Sequence, residues 1–185
     1  MAWETEFLLY LQNNLRTDFL NHVMQFFSFL GNGGWFWIVL CTVLILVKRT
    51  RPIGIIAAVG LVVSFLIVNG IIKPIVDRAR PFDSIDELIL ITNKPLDSSF
   101  PSGHTSSSFV VACAITWCLT GKRKFWGLLL IIIASLIAFS RLYLGAHYPT
   151  DVMVGLFLGV IISIVTYFAL RRKVLVKENK IDIRG

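Results

Sequence analysis

His147 and Asp151 stand four residues apart around Pro149, in the run Ser140-Arg141-Leu-Tyr-Leu-Gly-Ala-His147-Tyr-Pro-Thr-Asp151. On a helix or tight turn, residues four apart share a face. A carboxylate in that position can hold one imidazole N–H and leave the other ring nitrogen free to attack an electrophile. Taken alone, such a pair also has a purely structural reading.

A second run, Phe100-Pro101-Ser102-Gly103-His104-Thr105-Ser106-Ser107-Ser108, opens an apolar stretch. The first N–H groups of a helix have no intrahelical partner and carry the positive end of its dipole. Gly103 lets an anion approach that backbone closely, and Ser102 offers a hydroxyl, so the run suits a phosphate seat. An ordinary helix cap explains Ser102-Gly103 as well. Lys73, in VNGIIKPIVD, and Arg141, after LIIIASLIAFS, sit at the ends of apolar runs. A cation at membrane depth needs a partner, a watery cavity or a reach to the surface; snorkelling to the interface is the alternative for each alone. With Arg80, His104 and His147 on the same face, the three cations converge without matching carboxylates and form an anion site.

These residues need elements to position them. Apolar stretches cover roughly 34–48, 53–76, 103–120, 125–143 and 150–170, and a spanning helix takes about 20 residues. The expected fold is all-α: an integral membrane helical bundle of about five to six transmembrane helices forming one domain over 1–185. Residues 3–29 mix charges with Leu, Phe and Val at loosely helical spacing before Gly31, Asn32, Gly33 and Gly34 break the pattern. N-terminal amphipathic helices in an interfacial segment, 1–33, are expected; alternatively residues 17–30 begin the first span and Gly33–Gly34 kinks it. Trp35, Trp37, Trp117 and Trp126 sit near segment ends, as interfacial aromatics do.

Hydrophobic residues make up 56% of the 185, charged residues 16%, and mean hydropathy is +0.75. That balance leaves too little polar surface for a soluble globule. A net charge of +7 raises nucleic acid as a partner, but the charges lie in the wrong places. Twelve of the 18 Lys and Arg form three clusters beside apolar runs: Lys48, Arg49 and Arg51; Lys122, Arg123 and Lys124; and a basic tail within 171–185. This is the pattern of cytoplasmic anchors, so the expected partners are the bilayer and no nucleic acid. Placing the clusters inside puts 1–33, 77–102 and 141–149 on the extracytoplasmic side of the plasma membrane, and those loops and their flanks hold nine of the 11 acids. Cys41, Cys113 and Cys118 lie within apolar stretches at no metal or disulfide spacing and read as buried thiols. The first 16 residues carry acids where a signal peptide has bases, with no small-residue cleavage site after them, and are expected to stay attached. His22 falls outside every motif and receives no role. No feature speaks to oligomeric state.

Lys73-x6-Arg80-Pro81, Pro101-Ser102-Gly103-His104 and Ser140-Arg141-x5-His147-x3-Asp151 together resemble the three signature motifs of the type 2 phosphatidic acid phosphatase superfamily. The match is in order across 73–151 and fixes eleven residues without a departure. The resemblance implies a helical bundle and a phosphatase needing no metal or other cofactor. It implies that His147 is the nucleophile, forming a phosphohistidine, and that Asp151 orients it. His104 would protonate the leaving oxygen and then activate water, while Lys73, Arg80, Arg141, Ser102 and the Gly103 backbone bind phosphoryl oxygens. A phosphorylated lipid is the expected substrate, undecaprenyl diphosphate foremost because of the chain's size and topology. Phosphatidylglycerophosphate and phosphatidic acid are alternatives. An anionic-lipid transporter or scramblase is the non-enzyme alternative, and it would have no need of the His147–Asp151 pairing.

Overall fold

The computed structural model describes residues 2–182, with side chains over 2–174; Lys177, Lys180 and Arg184 of the basic tail lie outside the described side chains. Among the described residues every regular element is helical. Helix α1 runs Ala2–Leu15. Thr17 then accepts the Leu20 N–H at 3.3 Å and starts α2, Asp18–Gly31, a cap worth about 1 kcal/mol. Gly33 and Gly34 take φ of 57° and 69°, a left-handed conformation open to glycine at little cost, and they re-aim the chain into α3, Trp35–Leu46. The run Asp18–Leu46 is 29 residues long and apolar enough to cross a membrane. The alternative of a first span kinked at Gly33–Gly34 thus has a run of suitable length and composition over residues 18–46, with α1 outside that run.

Helix α4, Arg51–Phe65, passes through a π-helical segment, Leu66–Ile72, into α5, Lys73–Val76. Such wider turns recur at functional sites, and this one sets the rotation at which Lys73 leaves the helix. After α6, Pro81–Ser84, come α7, Gly103–Cys118, α8, Lys124–Tyr143, and α9, Pro149–Asp182. All five expected apolar stretches are helices, and four runs meet the length and hydropathy of a membrane span. The exception is α7. Its 16 residues rise only about 24 Å, and ten of them are buried, because α9, α8 and α4 pack around it. A helix shielded by its neighbours can carry polar groups: the Ser106 and Ser64 hydroxyls meet at 2.8 Å, and Ser108 accepts the Trp37 indole N–H at 2.9 Å. That bond corrects the interfacial reading of Trp37, which is 0% exposed, while Trp35, Trp117 and Trp126 are exposed. Cys41 and Cys113 are buried and Cys118 half-buried, all as free thiols.

Close approach of α7 to α9 fixes the floor on which the site stands. A Cβ on Gly159 would sit 2.8 Å from the Ser106 carbonyl oxygen and 3.0 Å from the Val110 nitrogen, and backbone atoms in a packed helix pair cannot swing aside. Gly159→Ala is expected to destabilise by about 1–3 kcal/mol through overpacking, read as a lower Tm in detergent; an unchanged Tm would show that the helices separate freely. At the other end of the bundle, α1 straps the 77–102 connection. Leu8 packs with Ile85, Leu88 and Tyr148. Arg16 donates to the carbonyls of Tyr143 at 2.9 Å and Ile89 at 2.8 Å.

Candidate active site

The α2–α3 break, the end of α4–α5, the 77–102 connection, the start of α7, the end of α8 and the connection that follows it meet around a cavity of about 560 Å³. Lys73, Arg80, His104, Arg141 and His147 all line it. The sequence places these residues at ends of separate apolar stretches; the antiparallel packing brings the ends together. Its other wall is apolar, formed by Ile38 of α3 and by Leu61, Val62 and Phe65 of α4.

His147 is 1% exposed, in the short connection between α8 and α9, with Nδ1 3.5 Å from Asp151 Oδ2. Asp151 is itself fixed by the Ser99 hydroxyl, by the Tyr148 N–H at 2.9 Å and by Arg78 Nη1 at 2.6 Å. A carboxylate held on Nδ1 favours the tautomer whose Nε2 carries the lone pair. That Nε2 lies 3.3 Å from Arg80 Nη1. Across the cavity, His104 Nε2 meets Asn32 Oδ1 at 2.9 Å, so the break after α2 orients the second histidine.

The cations are not without a carboxylate, as the sequence reading held. Asp97 accepts from Lys73 Nζ and, at 2.7 Å, from Arg80 Nη2, and its backbone oxygen accepts from Arg80 Nε at 2.8 Å. Burial works to raise the Asp97 carboxyl, but the two cations outweigh it and hold the group down at about 2. The loop returns Asp97 to helices it left some twenty residues earlier, a contact without local signature. Three cations against one carboxylate leave two positive charges, the complement of a phosphoryl dianion.

Arg141 supplies the sharpest sign of what the cavity takes. It is 2% exposed and its Nη1 donates to Ser28 Oγ, while its Nε is the one buried side-chain nitrogen or oxygen without a partner among the described residues. Leaving a buried donor unmade costs about 1–3 kcal/mol, more for a charged one. Ser102 Oγ accepts from Thr105 N–H at 3.4 Å and from Thr105 Oγ1 at 2.9 Å, capping α7. Gly103 does line the cavity at that helix start. His22 is exposed on α2, away from the cavity. Sequence reasoning gave no role to Arg78, Asn32, Ser99 or Asp97. Arg78 alone of these carries a signal in the sequence, as one of the six Lys and Arg outside the three basic clusters.

A sequence model of the PAP2 superfamily matches residues 52–174. The chain is 38% identical over 144 residues to an undecaprenyl-diphosphatase of Sulfolobus acidocaldarius, covering 78% of this chain and 68% of that protein. It is 29% identical over 167 residues to a lipid A 4'-phosphatase of Bacteroides thetaiotaomicron, covering 84% and 72%. The crystal structure of a transmembrane PAP2-type phosphatidylglycerolphosphate phosphatase from Bacillus subtilis superposes with a TM-score of 0.75 at 23% identity, covering 89% of this chain and 83% of that one. At that identity the likeness speaks for the fold.

Proposed function

The chain belongs to the PAP2 superfamily, and from that premise we propose that it releases phosphate from undecaprenyl diphosphate through a phosphohistidine on His147, without a metal ion. The observation that carries the phosphoryl chemistry is the buried Arg141 with its unpartnered Nε beside Lys73, Arg80 and two histidines in one cavity. Phosphoryl transfer asks mainly for positioning and charge stabilisation. His147 Nε2 attacks the terminal phosphorus, the bond to the leaving oxygen breaks, and His104 delivers a proton to that oxygen. Water then attacks the phosphohistidine, giving its proton to His104, and inorganic phosphate leaves with His147 restored. Lys73, Arg80, Arg141 and the Gly103 backbone take the phosphoryl oxygens. Ser102 contributes through the cap that holds this helix start in place.

Support for the substrate comes from the relative in Sulfolobus acidocaldarius and from the cavity's apolar wall, which suits a substrate whose tail stays in the bilayer. Support for metal independence is the donor set: among the described residues no three His, Cys, Asp or Glu side chains gather as ligands. Purified protein in detergent with EDTA is expected to release phosphate from undecaprenyl diphosphate faster than from phosphatidic acid or phosphatidylglycerophosphate. A preference for either monophosphate overturns the substrate, and activity lost to EDTA and restored by magnesium overturns the metal claim.

The membrane is proposed to be the plasma membrane, with the site on its extracytoplasmic face, on the strength of the basic clusters. Asp86 and Lys122 are exposed at opposite ends of the bundle, separated by the length of α8, about 30 Å. Single cysteines at these positions, in a cysteine-free background on intact cells, are expected to react with an impermeant reagent at 86 and not at 122. The reverse result turns the protein over.

A further inference from the structure

Glu4 lies in the first turn of α1, outside the span that matches the family, and yet it is 0% exposed. Its Oε1 accepts from the Thr150 N–H at 3.1 Å and from Thr150 Oγ1 at 2.6 Å; its Oε2 accepts from Arg78 Nη2 at 2.8 Å. Burial opposes its ionisation, but the bonds from Thr150 and Arg78 prevail and keep the carboxyl below the usual range. The other arm of Arg78 donates to Asp151 Oδ1 at 2.6 Å and to Thr150 Oγ1 at 2.7 Å, and its guanidinium lies 3.9 Å over the Tyr148 ring. Neither Glu4 nor Arg78 lines the cavity, so neither reaches a substrate there.

The arrangement solves a problem that Arg78 creates. A guanidinium bonded to Asp151 fixes that carboxylate in place but also neutralises it, and a neutralised partner does little to support positive charge on an imidazole ring. A second carboxylate on the same guanidinium restores a net single negative charge to the cluster. We propose that Glu4 is a positioning residue for the phosphohistidine step: through Arg78 and Thr150 it locks Asp151 onto His147 Nδ1 while leaving Asp151 its charge. The inference rests on the reading of His147 as nucleophile. It makes the N-terminal helix part of the machinery that the family's core motifs hold only in part.

The groups facing His147 are Asp151 from α9, Ser99 and Arg80 from the 77–102 connection, Arg141 from α8 and His104 from α7, with Lys73 across the cavity. Glu4→Gln keeps the size of the side chain, removes its charge and leaves all of these unchanged. By analogy with the partners that orient metal-bound histidines, kcat should fall about 10- to 100-fold, with KM within about twofold. Because His147 loses basicity, the acid limb of the kcat/KM profile should move to lower pH. A wild-type kcat and limb, or activity that merely follows the folded fraction with no shift of the limb, overturns the proposal. Should Glu4→Gln not fold, the comparison is made in an Arg78→Met background, where the double variant leaves no cation unpaired. Because Glu4 acts through Arg78, the limb of the double variant should coincide with that of Arg78→Met alone, and a further fall on adding Glu4→Gln overturns the proposal equally. His147→Ala run alongside separates the failures. If it is active, the underlying reading falls; if it is inactive while Glu4→Gln behaves as wild type, only this inference falls.

Discussion

His147→Ala is expected to abolish phosphate release from every lipid substrate and to leave no labelled enzyme. His147 is the residue through which the proposed covalent step must pass, and its buried neighbours hold nothing able to replace it. Asp151 sits behind the ring, on Nδ1, and Ser99 is tied to Asp151. Removing an essential nucleophile from a cooperating set elsewhere costs on the order of 10⁶-fold in kcat, so the residual rate should fall below detection. Quenching the wild type with ³²P-labelled substrate should trap label that is lost in acid and survives base, as a phosphorus–nitrogen bond does. Label of that kind persisting in His147→Ala places the covalent step on another residue. Label absent from the active wild type points to direct attack by water.

The second large effect concerns His104 and depends on the leaving group. A diphosphate lipid expels a lipid phosphate, a weak base that needs little protonation. A monophosphate lipid expels an alkoxide, which needs a proton in the transition state. General acid–base help is typically worth about 10²–10⁴-fold. His104→Ala is therefore expected to lose close to that full range on phosphatidic acid and distinctly less on undecaprenyl diphosphate, with some loss in both from the water-activating step. The hydrogen bond that His104 Nε2 donates to Asn32 Oδ1 fixes the ring proposed to deliver this proton. Equal losses in kcat/KM for the two lipids would mean that His104 chiefly positions phosphate or water.

What the sequence made legible is what its local chemistry encodes. The apolar runs became α3, α4, α7, α8 and α9, since length and hydropathy decide which segments leave water. Lys73, Arg80, His104, Arg141 and His147 were brought to one cavity, because alternating direction of the spans forces alternate loops to one end. The three motif blocks made their pairing readable as well. Contacts across long separations escaped. Glu4 and Arg78 meet across 74 residues, Asn32 and His104 across 72, and an isolated Glu on an amphipathic helix looks like solvated surface. Asp97 was counted among loop acids and not among the cations' partners. Trp37 sat where an interfacial tryptophan sits, and only the position of Ser108 on a buried helix reveals why its indole turns inward. Ser102, beside Gly103 in the expected phosphate seat, accepts two hydrogen bonds from Thr105 through the geometry of the helix start.

The apolar wall of the cavity, from Ile38 across to Phe65, has a consequence for how the enzyme meets its substrate. A lipid whose tail stays in the bilayer reaches the cations by lateral diffusion within a two-dimensional film, and bulk volume drops out of the encounter. The quantity that saturates the enzyme is then the mole fraction of lipid in the surface, so adding inert detergent at fixed total substrate slows the reaction as it thins the film. A water-soluble phosphate ester with the same headgroup gains none of that local enrichment, and it turns over slowly however perfectly its phosphate fits.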